Sequence, residues 1–346
     1  MKILDLFSGI GSFALGFKEA GYNVSRFCEI EDYCVKILNK NFPDVPVDKD
    51  IKQLHCDEGE YDVLLGGFPC QDISIAGKGK GLSGDRSGLW FEYKRLINEA
   101  RPKYAVIENV SALLGRGLEI ILQDLAEIGY DATWTTFDSK YFGVPQRRRR
   151  VYIVAVRDGI PSNTDMFEFG RRDLTQCREG LESFNESFRW DFEEGKGDKH
   201  TFTFYTRQRS NEFKETGLSG TLAKRDYKSF TDIVSHNNII RRVTPRERLR
   251  LQGIPDDWFD GCSLTKAQQF TCNGMSVPVV RYIAKCIKRF DIIVNAPDKA
   301  TFYSDGHYRY TDDSDTKSSI IKSDDSVTGS VFSLGWLLSR GDYVKF

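Results

Sequence analysis

Four short clusters in this chain of 346 residues hold side chains whose types and spacing could do covalent or acid–base chemistry. The first is Gly66-Gly67-Phe68-Pro69-Cys70-Gln71, directly after the apolar run Asp62–Leu65. A free cysteine is most often a small buried hydrophobe, and the other cysteines of the chain read that way. Cys70 differs, because it lies in a loop at a strand end, stiffened by Pro69 and flanked by glycines. Exposure near a helix start favours the thiolate, the form that acts as a nucleophile. The second cluster, Glu108-Asn109-Val110, closes the run Tyr104–Ile107. A carboxyl group there can have its pKa raised by burial and donate a proton, or it can stay ionised and cap a helix. The residues alone leave both open. The third, Pro145-Gln146-Arg147-Arg148-Arg149-Arg150, leads into Val151–Val156. Strand alternation puts Arg148 and Arg150 on one face and Arg147 and Arg149 on the other, so one pair can face a site while the other is solvated. The fourth, Asp5-Leu6-Phe7-Ser8-Gly9-Ile10-Gly11-Ser12-Phe13, is a glycine turn between a strand and a helix. Its backbone can approach a ligand closely, and the helix start favours an anionic group. It lacks the third glycine of the dinucleotide fingerprint. Glu29 ends the second strand, where a carboxylate can accept both ribose hydroxyls of a nucleoside, and Asp50-Ile51 follows the next apolar run. Each of these, taken singly, is more often a plain turn or a solvated carboxylate.

The elements that must position these clusters are read from periodicity. Lys2–Phe7, Val24–Cys28, Asp62–Leu65, Tyr104–Ile107 and Val151–Val156 are predicted strands. Helical stripes are predicted around Phe13–Ala20, Tyr33–Leu38, Leu89–Ala100 and Leu118–Ile128. Such alternation predicts an α/β fold with a doubly wound parallel sheet, whose chemistry belongs at the strand C-termini. From Ile160 to about Asn238 the stripes fade into Gly, Ser, Thr, Arg and aromatic residues, as in TFTFYTRQRSNEF, and a small loop-rich recognition domain is expected. Helical patterning resumes at Thr244–Leu251 and Val279–Ile293. The expected division is 1–157 with 241–295 as a catalytic domain, 158–240 as a recognition domain, and 296–346 as an appendage rich in Asp, Ser and Thr.

Composition narrows the class. The chain is long enough for one large or two modest domains, at roughly 100–200 residues each. No apolar window approaches a membrane span, and Asp5 stands where a signal peptide would be apolar. Eight cysteines without a CxxC pair argue for reduced thiols, a cytoplasmic location and no zinc framework. The net charge of −1 does not announce a polyanion partner, yet Arg147–Arg150 and Arg241, Arg242, Arg246, Arg248 and Arg250 concentrate positive charge locally. Local neutralisation of phosphates is all that nucleic-acid binding needs.

These clusters, in this order, resemble the DNA cytosine-5 methyltransferases of bacterial restriction–modification systems. The residues that carry the resemblance are DLFSGIGSF (5–13), Glu29, Asp50-Ile51, GGFPCQDIS (66–74), DRSGLW (85–90), ENV (108–110), FGVPQRRRRVYIV (142–154), RRVTPRERLRLQGIP (241–255) and NGMSVPVV (273–280). They span about residues 1–290. The resemblance implies an S-adenosylmethionine-dependent methyltransferase sheet and a reaction on one base flipped out of double-stranded DNA. Cys70 would attack cytosine C6, Glu108 would hydrogen-bond or protonate N3, and Arg150 with Arg148 nearby would hold the base carbonyl and adjoining backbone. The cofactor would lie against Phe7, Gly9 and Gly11, with Glu29 at the ribose, Asp50 and Ile51 at the adenine, Leu89, Asn273, Ser276 and Val277 closing the pocket, and Ile30 and Pro69 also in contact. DNA would meet Gln71, Ser74, Arg246, Thr221, Leu222, Arg225 and Lys228, the last four belonging to a segment that resembles the Thr-Leu recognition element. Base reading in the major groove and phosphate positioning are equally open for Arg225 and Lys228.

The departures are small. Cys272 precedes Asn273 where the family usually has glycine, and Arg149 stands where it commonly has glutamate. The resemblance further implies a monomer, no metal, and functional pairing with a restriction endonuclease or an orphan role. Two other readings are a tRNA cytosine methyltransferase, whose Cys-Phe-Thr tripeptide is absent here, and a silent DNA-binding relative, which would be expected to lose Cys70 or Glu108.

Overall fold

The computed structural model describes residues 1–69, 88–160, 166–167, 202–205, 214–215, 218–222, 232–236, 239–295, 300–302 and 308–310. Cys70, Gln71, Ser74, Arg225 and Lys228 therefore lie outside the described residues. Among the described residues, seven strands form the main sheet: β1 (Ile3–Leu6), β2 (Arg26–Cys28), β3 (Val47–Asp48), β4 (Val63–Gly66), β5 (Tyr104–Val110), β6 (Tyr130–Asp138) and β7 (Arg149–Arg157). Their spatial order is β3-β2-β1-β4-β5-β7-β6. The first five run parallel, while β7 runs antiparallel to both β5 and β6. The order reverses between β1 and β4, which opens a crevice at their C-terminal ends.

Period-two alternation sorts the side chains of the sheet. Ile3, Val63, Leu65, Val106 and Val154 face one buried cluster, and Leu4, Leu64, Ala105, Ile107 and Ile153 face the other. The first face is covered by helix α1 (Ser12–Glu19), through Phe13, Ala14 and Phe17. Helix α2 (Asp32–Asn41) also follows a parallel strand, and its Cys34 and Ile37 join a third cluster with Trp258 and Phe259. The opposite face is covered by α3 (Gly88–Ala100) and α4 (Leu118–Glu127). Three helices follow the basic run near residue 241: α5 (Pro245–Leu251), α6 (Leu264–Thr271) and α7 (Val277–Asn295), the last returning to pack on α1.

Sequence expectation and structure agree on β1, β2, β4 and β5 and on every helix except α6, which was not expected, nor was the short β3; the sheet is mixed rather than wholly parallel. The expectation missed β6, whose YDATWTTFD is rich in β-favouring Thr, Trp and Phe. Because β6 precedes it as a hairpin partner, the VYIVAV strand enters antiparallel. A second sheet of four strands, order β11-β10-β8-β9, is antiparallel throughout and consists of β8 (Phe202–Tyr205), β9 (Lys214–Glu215), β10 (Asp232–His236) and β11 (Ile239–Arg242). A hairpin of β12 (Ala300–Phe302) and β13 (Tyr308–Tyr310) completes the described elements. Among the described residues, no helix is long and apolar enough to cross a membrane.

The start of α5 shows local sequence fixing local structure. Thr244 accepts a hydrogen bond from the Glu247 amide at 3.1 Å, and Glu247 accepts one from the Thr244 amide at 2.8 Å, with proline at the first helical turn. Buried Glu247 also takes both terminal nitrogens of Arg241, at 2.8 and 2.7 Å. The α1–α7 contact has an equally specific requirement. A Cβ on Gly16 would stand 2.5 Å from Val280 Cγ1 and 3.0 Å from the Arg281 backbone nitrogen. The Gly16→Ala variant is expected to lose about 1–3 kcal/mol of stability through overpacking. Urea unfolding measures this, and an unchanged midpoint would contradict the packing described.

Candidate active site

The chemistry-bearing clusters converge on the C-terminal edge of the parallel strands. β1 ends in a turn where Phe7, Gly9 and Gly11 all have positive φ, at 53°, 55° and 84°. Phe7 is a non-glycine residue in that region, a strained conformation of the kind concentrated at functional sites. Glu29 locks the turn. It is buried, and its two oxygens accept the Gly9 amide at 2.6 Å and the Glu31 amide at 2.8 Å. Burial raises its pKa, and the two amides act against that. Each oxygen keeps a second lone pair for a ligand hydroxyl.

Space and polarity around this turn fit a nucleoside ligand. A Cβ on Gly9 would meet only the Phe7 carbonyl, at 3.9 Å, so the turn opens onto free volume. Ile30, next to buried Glu29, leaves 68% of its surface exposed. Among the described residues, the buried hydroxyls of Ser12 and Ser276 have no hydrogen-bond partner. Phe7 sits edge-on to Tyr93 with ring centroids 6.3 Å apart. Asp50 is half-buried at the end of the β3 segment, and Ile51 packs inward with Leu54. Leu89 and Pro69 are half-buried and Asn273 is exposed. Val277, expected at the cofactor, is fully buried and donates its amide to the Gln252 carbonyl at 2.9 Å, which makes it a support of the loop. A support missed from sequence is Trp258, whose indole nitrogen donates to the Ile10 carbonyl inside the glycine turn at 2.9 Å.

On the other side of the crevice stands Glu108, 8% exposed, with Oε1 3.2 Å from Arg150 Nε. Burial raises the Glu108 pKa more than Arg150 and Arg148 lower it. β5 and β7 align Glu108 with Tyr152 and Val110 with Arg150, so Glu108, Arg150 and Arg148 share one face of the sheet. Arg148 is 3% exposed, whereas Arg147 and Arg149 are exposed, the alternation read from sequence. Gly67 passes close by: a Cβ there would lie 3.1 Å from Glu108 Oε2 and 2.5 Å from Met275 Cε. Asn109, another support missed, is buried and donates to the Phe68 carbonyl at 3.3 Å, so the end of β5 holds the loop that leads to residue 70.

The DNA-facing expectations divide. Thr221 is exposed and its hydroxyl donates to the Arg147 carbonyl at 2.6 Å, which ties residues 219–221 to the start of β7. Leu222, expected among the reading side chains, is instead 3% exposed in a cluster with Val234, Val243, Leu251 and Cys272. It anchors the segment and is not available to a base edge. The Arg246 side chain is largely exposed, with Asp256 4.0 Å away, while Arg250 takes the same carboxylate at 2.7 and 2.6 Å. Cys272 lies at φ −67°, ψ −26°, a conformation open to any residue, so the missing glycine leaves no strain.

With this geometry the comparisons are unambiguous. A family model described as C-5 cytosine-specific DNA methylase matches residues 1–289. The chain belongs to that family. Among its relatives is the type II methyltransferase M1.ScrFI of Lactococcus lactis subsp. cremoris, 34% identical over 306 residues that cover 82% of this chain and 77% of the relative. The type II methyltransferase M.SsoII of Shigella sonnei is 33% identical over 303 residues, covering 83% and 79%. The crystal structure of the S. pombe Dnmt2 methyltransferase has the same fold, with a TM-score of 0.64 at 17% identity over 85% of this chain and 99% of that one. Residues beyond 289 fall outside the family match.

One buried acid beneath the glycine turn has a measurable signature. Asp5 is fully buried, neither carboxylate oxygen has a partner in strict hydrogen-bond geometry among the described residues, and burial and then Glu29 raise its pKa well above the ordinary range, with the Ala14 amide acting against them. The native state therefore holds this proton to higher pH than the unfolded chain. That contribution is complete below the unfolded value of about 3.9 and is lost as pH rises through the raised native value. The Asp5→Asn variant should gain stability relative to wild type as pH rises from about 4 to 8. Unfolding curves at several pH values that stay parallel for the two proteins would contradict a raised Asp5.

Proposed function

We propose that this chain transfers a methyl group from S-adenosylmethionine to C5 of a cytosine flipped out of a short, specific duplex DNA sequence. The observation that carries the reading is buried Glu108, 3.2 Å from Arg150 at the sheet's active edge, beside the loop that leads through Pro69 to Cys70. Cys70, as thiolate, adds to cytosine C6, and the displaced electron pair accumulates at C5. Glu108, whose pKa burial raises, protonates or hydrogen-bonds N3 and draws off that charge. Arg150 holds the base carbonyl. S-adenosylmethionine supplies an electrophilic methyl group when bound. Loss of the C5 proton and expulsion of the Cys70 thiolate then restore the aromatic ring.

The remaining residues bind and orient. Phe7, Gly9 and Gly11 form the floor under the cofactor, Glu29 takes the ribose, and Ile30, Asp50 and Ile51 surround the adenine. Leu89, Asn273 and Ser276 close the pocket. Flipping the base costs roughly a few kcal/mol, which contacts from Gln71, Ser74 and the exposed arginines offset. Arg147, Arg149 and Arg246 suit phosphates, and residues 158–240, including Thr221, Arg225 and Lys228, read the sequence. The protein works as a monomer in a bacterial cytoplasm. The type II names of its relatives support pairing with a restriction endonuclease.

Bisulfite sequencing of unmethylated plasmid, treated with purified protein and S-adenosylmethionine, tests the reading. Protected cytosines should recur in one short context and vanish with Cys70→Ser. Glu108→Gln should slow single-turnover methylation by about 10²–10⁴-fold. Uniform conversion across diverse plasmids would overturn DNA methylation and turn attention to RNA.

A further inference from the structure

Arg148 has no free reach toward a base. Its guanidinium is buried and ends on two carbonyls of a single turn, Nη1 donating to Cys272 at 3.2 Å and Nη2 to Gly274 at 2.8 Å. Its backbone is held as firmly. The Arg148 amide donates to Asp138 Oδ1 at 3.0 Å, and its carbonyl accepts the Ser139 amide at 3.0 Å. The turn it grips joins α6 to α7 and carries Asn273 and Ser276. That turn touches both halves of the crevice. A Cβ on Gly274 would stand 2.9 Å from Ser12 Oγ, at the end of the glycine turn, and Met275 Cε fills the space beside Gly67 and Glu108. Removing the guanidinium would take one donor from each of two buried carbonyls. Arg150 stands on the same face of β7, two residues on, and carries the contact to Glu108.

We propose that Arg148 is a positioning residue, a latch that fixes the Cys272–Gly274 turn to the strand bearing Arg150 and so sets the cofactor pocket and the base pocket at one spacing. This replaces the base contact that the family resemblance implies for Arg148. It rests on the proposed function for the identity of the cofactor. Arginine suits the task because its planar fork can serve two carbonyls at once, whereas lysine offers one mobile point donor. Arg148 stays charged at neutral pH, although burial and the neighbouring Arg150 pull its pKa down to about 10.

Binding of S-adenosylmethionine without DNA, measured by equilibrium dialysis, separates a latch from a base contact. Arg148→Met should weaken binding about tenfold or more, and Arg148→Lys should recover part of the loss. Arg150→Met should bind S-adenosylmethionine within about twofold of wild type while losing single-turnover rate on DNA. Wild-type affinity in Arg148→Met, with methylation lost, would overturn the latch and return Arg148 to the base. Amide exchange supplies a readout that needs neither ligand nor activity. Amides of residues 272–277 should exchange faster in Arg148→Lys than in wild type, and equal rates would also overturn the proposal. A wild-type protein that binds S-adenosylmethionine but methylates no DNA would refute the proposed function and leave the latch standing.

Discussion

The polarity of β7 is the constraint on which the active edge depends. The strand carries Arg149 and Arg150 at its N-terminal end, with the run Val151–Val156 behind them and Arg157 at its far end. The first two are the ones that matter at the active edge. In a parallel arrangement those arginines would lie at the far edge of the sheet, away from the C-termini of β1, β4 and β5. Antiparallel pairing with β5 brings Arg150 opposite Val110 and lets its guanidinium reach Glu108. The hairpin with β6 enforces this polarity along nine paired residues, Tyr130–Asp138 against Arg149–Arg157. Buried Arg148 and Glu108 can then lie beside half-buried Arg150, because the carbonyls of Cys272 and Gly274 offset part of the desolvation of Arg148. Charge geometry at this edge is thus a consequence of sheet topology.

The glycine-turn side, where the proposed cofactor would lie, obeys a different constraint, an open turn whose backbone a ligand can approach closely. The glycine turn after β1 is held from below by Glu29 and from the side by Trp258, nearly the whole family-matched length away in sequence. Both supports act on backbone atoms, which fixes the turn without filling the space over Gly9. The returning helix α7 packs on α1 and delivers the Cys272–Gly274 turn to the same place. Segments from both ends of the family match therefore build one pocket, and neither end completes it alone.

The alternation of strands and helices was readable because apolar spacing is a local property, and β1, β2, β4 and β5 lie within their predicted segments or overlap them closely. The inward and outward arginines were readable for the same reason. β6 was not, since its Thr-rich, half-exposed pattern resembles a loop until β7 supplies a partner. The grip of Arg148 on Cys272 and Gly274, the reach of Trp258 to Ile10, and the burial of Leu222 depend on residues distant in sequence, which no local pattern encodes. Function was readable further than structure, because the segments holding Cys70, Glu108 and the arginine run stand in the order that the resembled family carries, which single clusters left open.

The most direct test of the account is covalent capture. A duplex carrying the methylated sequence with 5-fluorocytosine at the target position is incubated with the protein and S-adenosylmethionine, and the complex is digested for peptide mass spectrometry. Fluorine cannot leave C5 as a proton does, so the account predicts a stable adduct on the peptide containing Cys70, formed only when S-adenosylmethionine is present. Methylation of the ordinary duplex with no adduct on the fluorinated one, or an adduct at another cysteine, would contradict it.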